Sequence, residues 1–278
     1  MTAPVHDRNQ RWEGGRASYR RPDEPIKTHE HEVAPLARED ARDFVVQHHY
    51  SCSFPAMRWG FGLHRGARLV GAAVFSVPAR DAVLTRVFPG AASDSTELGR
   101  FVLLDEVAGN GETWFLARCL AELRRAGVRG VVSFSDPLER RALDGTVTMP
   151  GHVGTIYQAS SAIYLGRARA ESLLLLPDGR SFPRRALAKI RAGHKGWRYA
   201  VRALMAAGAR GDVPECLRGD GPADLDELAE WLDLWLPRLV RRVPHPGNHK
   251  YAFPLTRATR RVVVPFGPPS PYPKRVPT

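Results

Sequence analysis

Between Glu97 and Ser135 a strand, a glycine-broken turn, an amphipathic helix and a second apolar strand follow one another, and no other stretch restricts the fold so tightly. Glu97 to Leu104 (ELGRFVLL) has the make-up of a strand, and Gly109-Asn110-Gly111 breaks the pattern after it. In Glu112 to Ala126 (ETWFLARCLAELRRA) the apolar residues Phe115, Leu116, Cys119, Leu120 and Leu123 recur at helical spacing, and Gly127 supplies a stop. Val128 to Ser135 (VRGVVSFS) reads as a buried strand that ends at Asp136-Pro137. Alternation of this kind predicts a mixed α/β fold with a central sheet flanked by helices.

The surrounding chain divides by texture. Residues 1–32 are polar, charged and poor in aliphatics, and are expected to form a flexible N-terminal arm. A core is expected over 33–172. It opens with a helix from Ala37 to Tyr50, followed by strands Trp59 to Leu63 and Leu69 to Val77 around a turn at Arg65-Gly66. It closes with a short helix over Thr155 to Ala162 and a strand from Ile163 to Gly166. Residues 173–264 are expected to be a basic helical extension, including an acidic, Trp- and Leu-rich helix from Leu225 to Leu239, and 265–278 a proline-rich tail.

Charge narrows the partners. The 278 residues carry a formal net charge of +12, which calls for a polyanion, and nucleic acid is the leading one because Lys and Arg release counterions from phosphates. From Arg180 to Arg210 the chain has nine Lys or Arg residues and no acid, with His194, Trp197 and Tyr199 among them. Arginine suits bidentate phosphate contacts and aromatic rings can stack or wedge, whereas a solvated face is the plain alternative. No run approaches the roughly 18–20 apolar residues of a membrane span, so no membrane role and a cytoplasmic location are expected. Three widely spaced cysteines, Cys52, Cys119 and Cys216, imply neither a disulfide framework nor a zinc knuckle.

The order of elements resembles the GNAT acyltransferase fold. That resemblance implies an acetyl-CoA or related acyl-CoA donor, its pyrophosphate resting on Gly109, Asn110, Gly111, Glu112 and Thr113 at the start of the helix. A plain strand-to-helix turn explains the same glycines. A more specific resemblance lies in Ser133-Phe134-Ser135-Asp136-Pro137, in Gly151-His152-Val153-Gly154-Thr155-Ile156-Tyr157-Gln158-Ala159-Ser160, and in Tyr164-Leu165-Gly166. Together with His49-Tyr50-Ser51, Glu97-Leu98-Gly99-Arg100, and the basic segments at Asp178-Gly179, Pro183-Arg184 and His249 to Phe253, these resemble the Mom-type phage DNA-modification family. The likeness spans residues 40 to 255. It implies transfer of an acyl-derived group to adenine N6 in double-stranded DNA, a carbamoylmethylation that protects against restriction in a host cytoplasm.

Such chemistry needs a positioned donor, a route for a proton and an amine freed from base pairing. Asp136, at a buried strand end, is the leading base, although Asp before Pro also caps turns. Ser135 can orient the base or donor, and Tyr157 can donate to a leaving group or be a core tyrosine. Tyr50 and Ser51 are candidates for holding the flipped base. His48 and His49 point apart on a helix, which makes joint metal ligation geometrically poor, and no metal site is assigned. Arg100, Arg184, Arg185, Lys189, Arg191, Lys195, Arg198, His249 and Lys250 are the expected DNA contacts. Two other classes remain open: a conventional N-acetyltransferase for a small amine or protein, and a non-catalytic DNA-binding protein on the same shell.

Overall fold

A computed structural model describes residues 9–21, 24–78, 80–209, 214–217, 221–263, 265 and 271–274. The rest, including much of the arm and tail and Arg210, lie outside the described residues. Two compact units make up the chain: Met1–Leu138, Gly151–Arg169 and Gly247–Thr278 form the first, and Glu139–Pro150 with Ala170–Pro246 the second.

The first unit begins with a hairpin, β1 (Asn9–Glu13) and β2 (Arg16–Arg20). Its sheet has seven strands: β3 (His31–Pro35), β4 (Met57–Arg65), β5 (Arg68–Ser76), β6 (Ser95–Leu103), β7 (Gly130–Ser135), β10 (Ile163–Arg167) and β13 (His249–Pro254). The order is β10-β13-β7-β6-β5-β4-β3, and every pair is antiparallel except β6–β7. A parallel pair needs a crossover, supplied by α3 (Gly111–Arg125). Phe115, Leu116, Cys119 and Leu123 of α3 are fully buried in one cluster with Leu63, Phe75, Leu98 and Val131 of the sheet. On another cluster, Phe44 and Val45 of α1 (Arg38–His48) join Ala72, Val74 and Val102. The two apolar sets of β5 alternate, Ala73 and Phe75 going to α3 and Ala72 and Val74 to α1, as the strand period requires. Short helix α2 (Ala82–Val87) and Val263, just after short helix α8 (Arg257–Val262), contribute to a third cluster with Val132 and Ala252.

The β6–β7 pairing stops early. It runs from Ser95↔Gly130 to Leu98↔Ser133, while β6 continues to Leu103 and β7 to Ser135. Gly99 sits at a bulge, since Leu98 faces Phe75 and Arg100 faces Val74. A Cβ there would come within 2.5 Å of Ser76 Oγ and 3.2 Å of Pro55 Cγ, so the strand can turn away only because residue 99 has no side chain. The result is a parallel pair that diverges beyond Leu98 and Ser133.

The second unit holds two hairpins, β8 (Glu139–Arg141) with β9 (Val147–Pro150) and β11 (Glu171–Leu175) with β12 (Arg241–His245). Its helices are α5 (Arg184–Arg191), α6 (Trp197–Ala206) and α7 (Leu225–Leu239). Leu187, Ile190, Trp197, Val201, Leu204, Leu228, Trp231 and Leu232 form its core. Asp224 caps α7 by accepting from the N–H groups of Asp226 and Glu227.

Three expectations need correction. Residues 9–20 are not a loose arm: Arg11, only 6% exposed, donates through Nε to Glu112 Oε1 at 2.7 Å and through Nη1 and Nη2 to the carbonyls of Leu104, Val107 and Ala108. The core does not end at 172, because β13 returns to pair between β7 and β10 after the second unit is complete. The extension is not wholly helical and also takes in Glu139–Pro150. Of the tail, Tyr272 donates to the Ala162 carbonyl at 2.6 Å.

Removing one partner of a buried ion pair leaves the other charged and desolvated. Arg11→Ala is expected to lower unfolding free energy by about 3–5 kcal/mol, and Arg11→Met with Glu112→Leu to recover most of it, both read from urea denaturation.

Candidate active site

Where β6 and β7 part, side chains from five elements of the first unit converge. β7 contributes Ser133 and Ser135, both buried, whose hydroxyls complete no hydrogen bond among the described residues. The Tyr157 and Tyr251 phenols lie near these hydroxyls, but not in bonding geometry. An unpaired buried hydroxyl costs on the order of 1–3 kcal/mol, so two on one strand, two residues apart, mark a place shaped for something else. From β6 come Glu97 and Arg100. Short helix α4 (Thr155–Ala159) contributes Tyr157, 6% exposed, and β13 contributes Tyr251, fully buried, their rings 5.3 Å apart. Tyr251 donates to the Val153 carbonyl, and Gln158 Nε2 donates to the same carbonyl at 3.0 Å.

The chain after α1 forms the next wall. Arg100 donates to the Ser53 carbonyl at 3.0 Å and to Ser53 Oγ at 2.7 Å, holding this turn against β6. His49 Nδ1 receives the Ser51 N–H at 3.1 Å and lies 2.8 Å from Ser51 Oγ, which leaves the proton of the neutral ring on Nε2. The Tyr50 ring stacks on His49 with centroids 4.0 Å apart, and its hydroxyl lies 3.4 Å from His152 Nε2. Cys52 beside them is held at φ 45°, in the left-handed region.

Electrostatics separate these groups. Burial raises the Glu97 carboxyl from 4.5 to about 7, against the opposing pull of Arg100. Burial raises Tyr157 as well, partly offset by the nearby Ser133 hydroxyl. It lowers His49 well below the usual histidine range, aided by Arg100 and His152. His249 falls to about 4, through burial first and then Arg167 and His152. Arg167 Nη2 donates to His249 Nε2 at 3.3 Å, so Nδ1 carries the proton and donates to Tyr164 Oη at 2.8 Å. Beside the neutral imidazoles of His49 and His249, a carboxyl raised to about 7 is poised to exchange a proton near neutrality.

The structure thus brings Tyr50, Ser51, Ser135, Tyr157 and Arg100 into one neighbourhood. Asp136 lies at the rim, where its Oδ1 accepts the Leu138 N–H at 2.9 Å and its carbonyl accepts the His152 N–H at 2.7 Å. That backbone contact fixes the turn that carries His152 toward Tyr50. The expected DNA contacts divide differently. His249, 2% exposed, is built into the site rather than onto a surface, and Lys250 is half-buried next to it. In the second unit, Arg184 is committed to the Ser172 carbonyl, and Arg198 to the carbonyls of Cys216 and Gly221. Arg185, Arg191 and Lys195 are exposed and Lys189 half-exposed. Trp197 belongs to the core, whereas Tyr199 is 79% exposed.

From the sequence Glu97 reads only as part of a motif, and Ser133 and Tyr251 carry no role of their own. An acid in a strand that ends in the apolar run Phe101-Val102-Leu103, two residues before a bulge glycine, is the signal that could have found the first. Among the described residues no group of three or more His, Cys, Asp or Glu is disposed to hold a metal, and no helix is long and apolar enough to cross a membrane.

The turn expected to take an acyl-CoA pyrophosphate does not fit that group as it stands. Its carbonyls at Leu104, Val107 and Ala108 face inward onto Arg11, and the buried Glu112 carboxylate completes the ring of acceptors. Asn110 spends its side-chain oxygen on the Ile26 N–H at 2.7 Å, and Gly111 is needed for packing, since a Cβ would stand 2.5 Å from Val107 Cγ1. A phosphate requires donors, and the Asn110 and Gly111 N–H groups of this turn already donate to the carbonyls of Glu24 and Ala108.

The model of the Mom protein family matches residues 30–210. No curated protein matches the chain. Among solved structures, a GNAT family acetyltransferase from Brucella melitensis, in complex with acetyl-CoA, shares 20% identity over 39% of this chain and 77% of its own, with a TM-score of 0.30. The ribosomal-protein-S18-alanine N-acetyltransferase from Escherichia coli shares 14% over 54% and 88%, with a TM-score of 0.32. A tandem GNAT protein from the clavulanic acid biosynthesis pathway shares 11% over 82% and 99%, with a TM-score of 0.40.

A carboxyl raised to about 7 keeps a proton that the unfolded chain, titrating near 4.5, has already released. The Glu97 contribution to stability therefore falls as pH rises from 4.5 to about 7 and is level above that, whereas His249 and His49 act in the opposite direction over much of the same range. Urea midpoints measured across this range should fall for the wild type relative to Glu97→Gln, and parallel curves would contradict the assignment.

Proposed function

Because the chain belongs to the Mom protein family, we propose that it is a transferase that modifies the N6 amine of adenine in double-stranded DNA. The observation that carries this reading is the convergence of Glu97, Arg100 and Tyr157 with the two unpaired hydroxyls of Ser133 and Ser135 where β6 and β7 diverge. The reading supplies those hydroxyls with partners on the edge of an extruded base. Base extrusion exposes an amine that duplex pairing hides.

Adenine N6 is a weak nucleophile, because its lone pair is delocalised into the ring. In the proposed reaction that pair attacks the electrophilic carbon of an activated acyl-derived donor. The N6 proton passes to the ionised Glu97 carboxylate, and the bond to the leaving group breaks with its electron pair. Tyr157, whose pKa is raised, is the proton donor to that group. Arg100 keeps Glu97 partly ionised and fixes the Ser51–Ser53 turn against the cleft. Asp136 has a positioning role in shaping the turn that carries His152. The exposed cations of α5 and the loop after it, Arg185, Arg191 and Lys195, are the proposed contacts to the phosphate backbone.

Nucleoside mass spectrometry of DNA from cells expressing the protein should reveal a modified deoxyadenosine. Glu97→Gln should reduce it by about 100-fold or more, within the usual reach of acid–base catalysis, while Asp136→Asn, whose side-chain oxygen can still cap Leu138, should retain most of it. An unmodified adenine pool would overturn the reading, and acetylation of a free amine without a new nucleoside would favour the small-amine alternative. For the backbone contacts, replacing Arg185, Arg191 and Lys195 together by Ala should flatten the log–log salt dependence of DNA binding by about 1 per phosphate deprived of its cation. An unchanged slope places the DNA surface elsewhere.

A further inference from the structure

The β1–β2 hairpin lies ahead of the residues matched by the family model, yet it is built into the first unit at two points. At the first, Arg11 fills the turn before α3. Its guanidinium reaches the Glu112 carboxylate at 2.7 Å and the carbonyls of Leu104, Val107 and Ala108 at 2.8, 2.5 and 2.9 Å. Arg11 and Glu112 are 6% and 4% exposed, so the space is closed as well as charged. At the second, the next residue along the strand, Trp12, meets the Tyr50 ring edge to face, with centroids 6.4 Å apart. Adjacent strand residues point to opposite sides, so β1 stands between the α3 turn and the aromatic lip of the cleft. Ser18 of β2 adds a hydrogen bond to Asp105 Oδ1 at 2.7 Å, which anchors the far strand to the same turn.

An anion entering here would find the Arg11 charge already matched by Glu112 and its donors already spent on three carbonyls. The partial positive charge at the start of α3, which elsewhere attracts phosphate, is already answered by Glu112 in its first turn. A cationic side chain held by four acceptors is also a poor hinge, because leaving would break all four contacts at once.

We infer that the N-terminal hairpin is a fixed wall of the reaction cleft, and that this chain takes its transferred group from an acyl-type donor that is not anchored through a diphosphate at the α3 turn. The inference about the donor rests on the group-transfer reading above. The closure of the turn does not.

Calorimetric titration of the full chain with CoA and with acetyl-CoA tests the closure without any DNA. No saturable heat is expected up to about 1 mM of either. Hydrogen exchange of residues 9–20 should be unchanged by CoA at the same concentration. Saturable binding, or loss of protection in the hairpin on adding CoA, would overturn the proposal by showing the hairpin to be displaced. Arg11→Gly with Glu112→Gln removes both charges and should raise CoA affinity at least tenfold over the wild type. If that variant does not fold, the wild-type titration and exchange still decide. Trp12→Ala, expected to keep the wild-type melting temperature, should reduce modification of DNA about tenfold, and full activity would remove the hairpin from the cleft wall. Should the wild type yield no modified nucleoside, the transfer reading falls alone, while calorimetry and exchange continue to judge the hairpin.

Discussion

The site exists because two parallel strands stop pairing. β6 and β7 share four register positions, and beyond Leu98↔Ser133 their backbones and side chains must find other company. The bulge at Gly99 turns β6 aside, and α1 and α4 present their ends to the space that opens. β13 completes the other flank by pairing along all of β7. Every group assigned to chemistry, from Glu97 to Tyr251, owes its position to that divergence. Were the pair to continue for two more residues, Ser135 would meet Arg100 across a ladder and neither side chain would be turned toward the groups of α4.

Polarity in the cleft is graded by burial more than by ion pairing. Glu97 is raised, His49 and His249 are lowered, and in each case desolvation is the largest cause. The environment thereby favours the neutral form of these three groups, which suits recognition of an uncharged heterocycle. Burial lowers Arg100 as well, and its hydrogen bonds to Ser53 and to the Gly99 carbonyl explain how a guanidinium is tolerated there.

Much of the first unit is legible in the sequence. The helical recurrence from Phe115 to Leu123, the apolar run of β5 and the glycine break before α3 are local patterns, and each leads to an element near its expected bounds. What escapes is non-local. His249 to Phe253 has ordinary strand composition, but nothing nearby says that its neighbours are β7 and β10, since an entire second unit intervenes. The Arg11–Glu112 pair joins residues 101 positions apart, and a polar arm gives no hint that one arginine is buried. Glu97 is visible as a residue and invisible as an acid of altered strength, because its burial depends on helices far along the chain. In the acid-free run, charge is legible while its deployment is not: Arg198 serves loop carbonyls, and Trp197 the core.

The late return of β13 has a consequence for how such a chain is made. Emerging from the ribosome, residues up to 246 can complete the second unit while β7 and β10 still lack the strand that lies between them. Until residues 249–254 arrive, both strands present open hydrogen-bonding edges, the condition under which nascent sheets find partners in other chains. A ribosome that stalls or terminates shortly before that point releases a polypeptide with one finished unit and one unclosed sheet.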